Sequence, residues 1–271
     1  MALIAAAFLL GSLILLYARF CEPRWWQIIQ IQLPIARLPE AFKGYRIAQI
    51  SDIHMDGLMN KKRLSNVAQL VNQQEVDIIV ITGDFISKNV QGVCDELAES
   101  LTHFEATNGT VAVPGNHDYR NSGINEVRRI MHETQIEDLS NTFIKIERGA
   151  EKLYFAGLDS LYSGNTRLDQ LLEDLPTDAP TILLFHEPDG VDVVAPTERF
   201  AAQLSGHTHG GQIRIPFVDA LWTPPHGVRY IQGLHHVGRT CLYVNRGIGT
   251  VRFPLRFFCR PEITIFTLIS D

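Results

Sequence analysis

Apolar and polar positions divide the chain at about residue 24. Residues 2–18 are uncharged and mostly Ala, Leu and Ile. At 1.5 Å per residue they predict a helix of roughly 25 Å, slightly short of a ~30 Å hydrocarbon core. Phe20, Cys21, Trp25 and Trp26 can extend it into the interfacial layer, where tryptophan is favoured. Beyond this segment one theme repeats: a short apolar run, a polar cluster, then often a helical stretch. Residues 25–33 are β-rich and partly alternating and predict a strand; 34–43 read as a loop. Residues 45–50 end in Ser51-Asp52-Ile53-His54, and 77–82 in Gly83-Asp84. Residues 111–113 end in Pro114-Gly115-Asn116-His117-Asp118, 181–185 in His186, and 201–204 in Ser205-Gly206-His207-Thr208-His209. Short uninterrupted apolar runs mark strands buried on both faces. Helical spacing predicts helices over 61–74, 90–104, 125–133 and 168–175. After Gly210 the pattern changes to short strands and turns, clearest at 229–232, 241–244 and 262–268. The prediction is one α/β domain over 22–271 behind a membrane anchor at 1–21.

Charge narrows the functions. A net charge of -6 argues against a nucleic-acid partner. The apolar segment has no Lys or Arg before it, whereas Arg19 and Arg24 follow it. A cleaved signal peptide wants the opposite order. An uncleaved single-pass anchor is therefore expected, with the domain on the cytoplasmic side of the inner membrane by the positive-inside rule. Cys21, Cys94, Cys241 and Cys259 form no CxxC pair, and scattered free thiols fit a reducing compartment.

The chemistry lies at the strand ends. Polar residues at the carboxyl ends of buried strands converge on one side of an α/β sheet, where ligands bind. Here they are Asp52, His54, Asp84, Asn116, His186, His207 and His209. An N/O donor set without thiolate suits Mn, Fe, Zn or Co. In Asp52-x-His54 and His207-x-His209, alternate residues of an extended segment would point to the same side and reach one ion. Gly83, Gly115 and Gly206 would let the chain turn sharply before Asp84, Asn116 and His207.

The ordered motifs DxH, GD, GNHD, a lone His and GHxH resemble the calcineurin-like metallophosphoesterases, and the likeness spans nearly all the chain from about Tyr45. The sequence Gly206-His207-Thr208-His209-Gly210-Gly211-Gln212, with His186-x-Pro188-Asp189 and Asn245-Arg246-Gly247-Ile248-Gly249, is similar to the YkuE/YaeI-type membrane-associated phosphodiesterases. The resemblance implies a four-layer α/β/β/α sandwich with two mixed sheets. It implies two divalent ions, manganese first, with Fe, Zn or Co as alternatives. One would take Asp52, His54, Asp84 and His209, and the other Asp84, Asn116, His186 and His207, with Asp84 bridging. Asn116 would also be catalytic, and His117 would contact the phosphate and protonate the leaving group. Two such ions clamp phosphoryl oxygens and acidify an attacking water.

The expected activity is hydrolysis of a phosphodiester or pyrophosphate bond, on a membrane-associated substrate such as a UDP-diacylglucosamine-like lipid. The alternatives are a non-catalytic scaffold that keeps the fold, or a phosphomonoesterase or protein phosphatase. His103, His132, His235 and His236 are expected to be structural. His226 could approach the site from a Pro-Pro-His-Gly turn. Asp56 reads as a turn residue, Asp118 as a loop support, and Asp159 and Asp189 as outer or capping groups. The segment 246–260 mixes Arg252, Arg256 and Arg260 with Phe253, Phe257 and Phe258; it reads as a loop packed on the core rather than a membrane-facing patch.

Overall fold

In the computed structural model, which describes residues 1–55, 58–87 and 92–271, the apolar runs become central strands of two facing sheets. The strands are β1 (Gln27–Ile35), β2 (Arg46–Ile50), β3 (Ile78–Thr82), β4 (Thr110–Val113), β5 (Ile136–Asp138) and β6 (Thr142–Arg148). They continue with β7 (Glu151–Gly157), β8 (Thr181–Leu184), β9 (Ala202–Ser205), β10 (Gly233–Val237), β11 (Thr240–Val244) and β12 (Glu262–Ser270). The helices are α1 (Ala2–Leu16), α2 (Lys61–Asn72), α3 (Cys94–Leu101), α4 (Gly123–Glu133), α5 (Leu168–Asp174) and α6 (Val191–Val194).

Among the described residues the two sheets have six strands each, in the orders β1-β12-β2-β3-β4-β5 and β10-β11-β9-β8-β7-β6. Both are mixed. The parallel set β2, β3 and β4 lies beside antiparallel β12, and parallel β7, β8, β9 and β11 are flanked by antiparallel β6 and β10.

Alternation along each strand builds the layers, because successive side chains leave opposite faces of a sheet. In β3, Ile78 and Val80 join the core between the sheets, against Phe155, Ile182 and Leu204. Ile79 and Ile81 face the other way, into a layer with Leu64 and Val67 of α2, Leu97 of α3 and Ile130 of α4. On the far side, Tyr154, Ala156 and Leu183 pack on Leu171 of α5 and Val194 of α6. The four-layer α/β/β/α sandwich is as expected. Asn60 begins α2, its side chain accepting from Arg63 N at 3.1 Å and satisfying one of the helix's free N–H groups.

Two local expectations change, and one element was not expected. Residues 229–232 are not a strand; the pairing begins at Gly233, whose φ of +81° favours glycine. The helix expected over 90–104 is α3, and its expected start, like Asp56, lies outside the described residues. The hairpin β6–β7 is absent from the sequence reading, although Gly149 at φ +63° in a two-residue turn between alternating segments is its signature.

The N-terminal helix is longer than its apolar run. Helical turns continue from α1 to Arg24, giving a 23-residue helix, Ala2–Arg24, long and apolar enough to cross a membrane by length and composition. That is about 35 Å of helix, of which the exposed part, Ala2–Leu16, accounts for roughly 22 Å. α1 has no buried residue. Its continuation packs on the domain: Ala18 O accepts from Arg256 N at 3.0 Å, and the buried carboxylate of Glu22 accepts from Cys259 N at 2.5 Å.

Candidate metal centre

The seven residues at the strand ends meet in one place. Asp52 and His54 follow β2, Asp84 follows β3, Asn116 follows β4, His186 follows β8, and His207 and His209 follow β9. All seven are buried. Asp52, His54, Asp84 and His209 bring one donor atom each within 4.8 Å of one another; His186, Glu187 and His207 form a second such group. Asn116 joins the second group, its Oδ1 3.3 Å from His186 Nε2.

Asp84 stands between the groups. Its Oδ2 is 3.4 Å from His54 Nε2 and its Oδ1 is 3.5 Å from His186 Nε2. His54 Nε2 is 3.0 Å from His209 Nε2, and His186 Nε2 is 3.2 Å from His207 Nδ1. Two donors about 2.1 Å from a shared ion and at right angles are about 3 Å apart, so these spacings suit ligands on common ions.

The ring tautomers agree. A carbonyl can only accept, so His186 Nδ1 donates to Thr82 O at 2.6 Å, and His207 Nε2 donates to Pro225 O at 2.8 Å. The opposite nitrogens, His186 Nε2 and His207 Nδ1, are left facing the site, an arrangement common behind metal-ligating histidines.

The electrostatics also call for cations. Burial pushes the His54 and His207 imidazoles down to about 3, and His209 well below its usual value. These rings are therefore neutral, as ligands must be. Burial raises Asp52 to about 7 despite nearby His186. Burial acts against charge on His186 too, but Asp84, with Glu187 and Asp52, outweighs it and raises the pKa of His186 well above its usual value. The carboxylates gathered around His186 thus mark a place that favours positive charge.

The spacing argument for the two H/D pairs needs correcting. Asp52, His54, His207 and His209 have φ of +50°, +47°, +74° and +52°, so neither segment is extended. Left-handed turns aim the side chains, and His207 and His209 join different groups rather than one ion. Non-glycine residues in this region carry strain, which gathers at functional sites. Of the three glycines, only Gly83, at φ +95°, has the left-handed backbone. Gly115 and Gly206 are required by close approach. A Cβ on Gly115 would sit 2.3 Å from Asp84 Oδ1 and 2.5 Å from Asp84 N, and one on Gly206 would sit 1.8 Å from Ser51 Oγ. Because backbone cannot yield cheaply, Gly115→Ala should cost about 1–3 kcal/mol. A denaturant-unfolding midpoint equal to that of the unchanged protein would contradict this.

Asp118 supports the loops as expected. Its buried carboxylate accepts from Asp84 N at 3.0 Å, Gly115 N at 2.8 Å and Ile86 N at 3.1 Å. Asp189 accepts from the backbone N–H groups of Val228, Arg229 and Tyr230, and Asp159 from Tyr119 Oη and Ser160 N. His226 approaches the centre through Tyr162, whose ring lies 5.6 Å from His226 and 6.1 Å from His207. His103 and His235 pair with Ser65 and Gln232 on the surface.

His117 lines a cleft of about 470 Å³, together with Asp84, Asn116, Arg120, Tyr162, His207 and His209. Its backbone N–H donates to Asp84 Oδ1 at 2.8 Å, and its ring meets that of His54 edge-on at 4.8 Å.

The sequence reading missed Ser87, Glu187, Tyr162, Arg120 and the position of Arg256. Ser87 Oγ lies 2.9 Å from His54 Nδ1. Glu187 is turned toward Ser160 Oγ at 2.5 Å and Leu161 N at 3.2 Å. Arg256 is fully buried and donates to the carbonyls of Arg246 and Gly249 at 2.8 and 2.7 Å, with His209 Nδ1 3.4 Å away. Among these only Glu187, adjoining a candidate ligand, carried a local signal.

Comparison with known proteins agrees with this geometry. A family model for calcineurin-like phosphoesterases matches residues 45–211. The chain is 35% identical to the uncharacterized metallophosphoesterase YkuE of Bacillus subtilis, over 94% of this chain and 89% of that protein. It is 29% identical to phosphodiesterase YaeI of Escherichia coli, over 93% of this chain and 92% of that one. A transmembrane protein with metallophosphoesterase domain from Danio rerio is 30% identical over 89% of this chain. This chain spans 57% of that relative's length.

Proposed function

The chain belongs to the calcineurin-like phosphoesterase family, and from that premise we propose that it hydrolyses a phosphodiester or pyrophosphate bond on a membrane-associated substrate. The observation that carries the reading is the placement of Asp84 between two groups of buried imidazoles and carboxylates. In this reading Asp52, His54, Asp84 and His209 hold one divalent ion, and Asp84, Asn116, His186 and His207 hold the other. Manganese is our first choice of metal, as the family resemblance implies; donors of nitrogen and oxygen only suit it, and suit Fe, Zn or Co as well. When bound, the pair supplies charge for the phosphoryl oxygens and a water of lowered pKa.

The chain's own residues do the rest. Asn116 and His117 present their side chains to the cleft beside Asp84, so that a phosphoryl group seated there contacts the His117 imidazole. His117 Nδ1 faces Ser87 O at 3.4 Å. That carbonyl favours a proton on Nδ1 and leaves Nε2 to hold the proton passed to the departing oxygen. Tyr162 and Arg120 also line the cleft. Arg120 is a suitable partner for an anionic substrate.

The family and the name of YaeI support a phosphoester hydrolase. The helix Ala2–Arg24 and the name of the Danio rerio relative support a membrane protein. We place residues 1–21 as the anchor and 22–271 as the catalytic domain. Arg19 and Arg24, following the apolar segment, support a cytoplasmic orientation of that domain at the inner membrane. A lipid-linked pyrophosphate of the UDP-diacylglucosamine kind fits this location.

The test is direct. Full-length protein should hydrolyse bis(p-nitrophenyl) phosphate faster than the monoester. Dialysis against a chelator should abolish turnover, and added Mn2+ should restore it. Preference for the monoester would favour the phosphomonoesterase alternative. No hydrolysis of any phosphate ester with both metals bound would leave the scaffold.

A further inference from the structure

Beside the cleft lies a group of exposed apolar side chains with no part in that chemistry. Phe217, Val218, Leu221 and Trp222 stand out from segment 213–222, and Phe253 and Phe258 from the loop after Ile248. Single exposed hydrophobic residues are ordinary, whereas a contiguous group marks an interaction surface. The centre of this group is contiguous. Leu221, Trp222 and Phe253 line one recess of about 130 Å³ that reaches His209. Arg252 lies 4.1 Å over the Trp222 ring. Ile213 bridges to Phe257, and Arg214 N donates to Phe257 O at 2.8 Å. Within the basic–aromatic tail, Arg246 and Arg256 do belong to the core, the first through Glu262 and the second through backbone carbonyls. Arg252, Phe253 and Phe258 do not.

The N-terminal helix leaves the domain at this same face. Tyr17 meets Phe257 edge-on at 6.5 Å, Phe257 meets Phe258 at 4.6 Å, and Arg256 N is bonded to Ala18 O. On the N-terminal side of Tyr17 the helix is wholly exposed. The exposed helix and the exposed aromatic loops therefore emerge at adjoining points. Cations paired with aromatic faces mark the same level. Arg260 lies 4.0 Å over Trp25, and Arg19 and Arg24 lie 5.0 and 5.7 Å from the Phe20 ring. Aromatic rings beside guanidinium groups suit the headgroup layer of an anionic leaflet.

We propose that segments 213–222 and 251–258 form a second membrane contact, which dips Phe217, Val218, Leu221, Phe253 and Phe258 into the leaflet from which the helix emerges. Arg252 and Arg260 meet anionic headgroups there. Since Trp222, Arg252 and Phe253 also line the catalytic cleft, this contact holds the mouth of the cleft at the bilayer surface. The inference rests on the membrane reading of the helix and is independent of the catalytic one.

Site-directed spin labelling tests it in the full chain. Cys21 is the exposed cysteine and the other three are buried, so Cys21→Ser with Phe217→Cys takes a single nitroxide. Lys145→Cys, exposed on β6, provides the control. In vesicles of phosphatidylcholine and phosphatidylglycerol, the label at 217 should favour collisions with oxygen over a water-soluble nickel chelate several-fold more than the label at 145. Adding Arg252→Glu should move the label at 217 toward the chelate. Equal chelate exposure at 217 and 145 would overturn the proposal. So would dipolar broadening at 217 that accompanies chelate exclusion, because a second copy of the chain would then cover the face. Hydrolysis of bis(p-nitrophenyl) phosphate in the same vesicles reports separately on the catalytic reading.

Discussion

Asp84→Asn should reduce kcat/KM on a phosphodiester by about 10³ or more while leaving the sandwich folded. The substitution keeps the side chain's shape but changes both of its edges. As a carboxylate, Asp84 turns Oδ2 to His54 and Oδ1 to His186, and Oδ1 also accepts from His117 N. Burial opposes its charge, but His186, His117 and His54 together hold its pKa well below the ordinary carboxylate range. An amide has one oxygen and one NH2 group, so it can serve one group of ligands and must turn a donor toward the other. The charge that neutralises the two cations also falls by one. A loss of about 4 kcal/mol in stabilisation of the transition state corresponds to the thousandfold drop. The accompanying measurement is metal content by elemental analysis, which should fall from two ions per chain to one or fewer. A variant that kept two ions and full turnover would remove Asp84 as the bridge. The backbone contacts that hold the loop, from Asp84 N and Gly115 N to Asp118, survive the change. Loss of activity with an unchanged circular-dichroism spectrum would therefore separate the effect on the site from one on the fold.

The candidate site was legible in the sequence because its residues sit where a buried strand stops. An apolar run such as Ile78–Thr82 is set by burial on both faces, and the first polar residues after it emerge at the carboxyl edge of the sheet. That physics needs no knowledge of the partner strands, so Asp84 and His186 could be placed together although they are far apart in the chain. How the side chains are aimed was not legible. Alternation along an extended segment would send His207 and His209 to the same side. The left-handed backbone at both residues sends them to different groups instead. Nothing local requires a histidine to adopt positive φ; the surrounding packing imposes it.

Arg256 makes the same point from the other direction. Segment 246–260 reads as a loop packed on the core, but nothing local singles out Arg256 as its wholly buried cation; the guanidinium is buried because the carbonyls of Arg246, Gly247 and Gly249 converge on it. Burying such a charge is tolerated only when donors are matched by acceptors. Those acceptors come from a turn whose path is fixed by other contacts, including Ile248 N to Ser51 O and Gly249 N to Asp52 O. The hairpin β6–β7 was missed for a different reason. Its strand β6 is only half-buried, so it lacks the dense apolar run that drew attention to the central strands.

His117→Gln should separate proton donation from metal binding, through the leaving group. Glutamine keeps a polar side chain of similar reach but cannot give up a proton. A positioned general acid contributes typically about 10²–10⁴-fold when the departing oxygen is strongly basic. A diester that releases an alkoxide should therefore lose about that factor in kcat. Bis(p-nitrophenyl) phosphate, whose leaving group is a stabilised phenolate, should lose far less. The pH dependence has a definite sign. Burial lowers the pKa of His117 below its usual value, with Asp84 opposing and Arg120 assisting. The protonated form is therefore abundant below that lowered pKa and is lost as pH rises through it. Turnover of the alkyl diester should decline on that limb in the unchanged protein. In the glutamine variant the limb should be missing, with metal content still at two ions per chain. Equal losses on both diesters, with the limb retained, would assign the proton to another group and leave His117 as a phosphate contact alone.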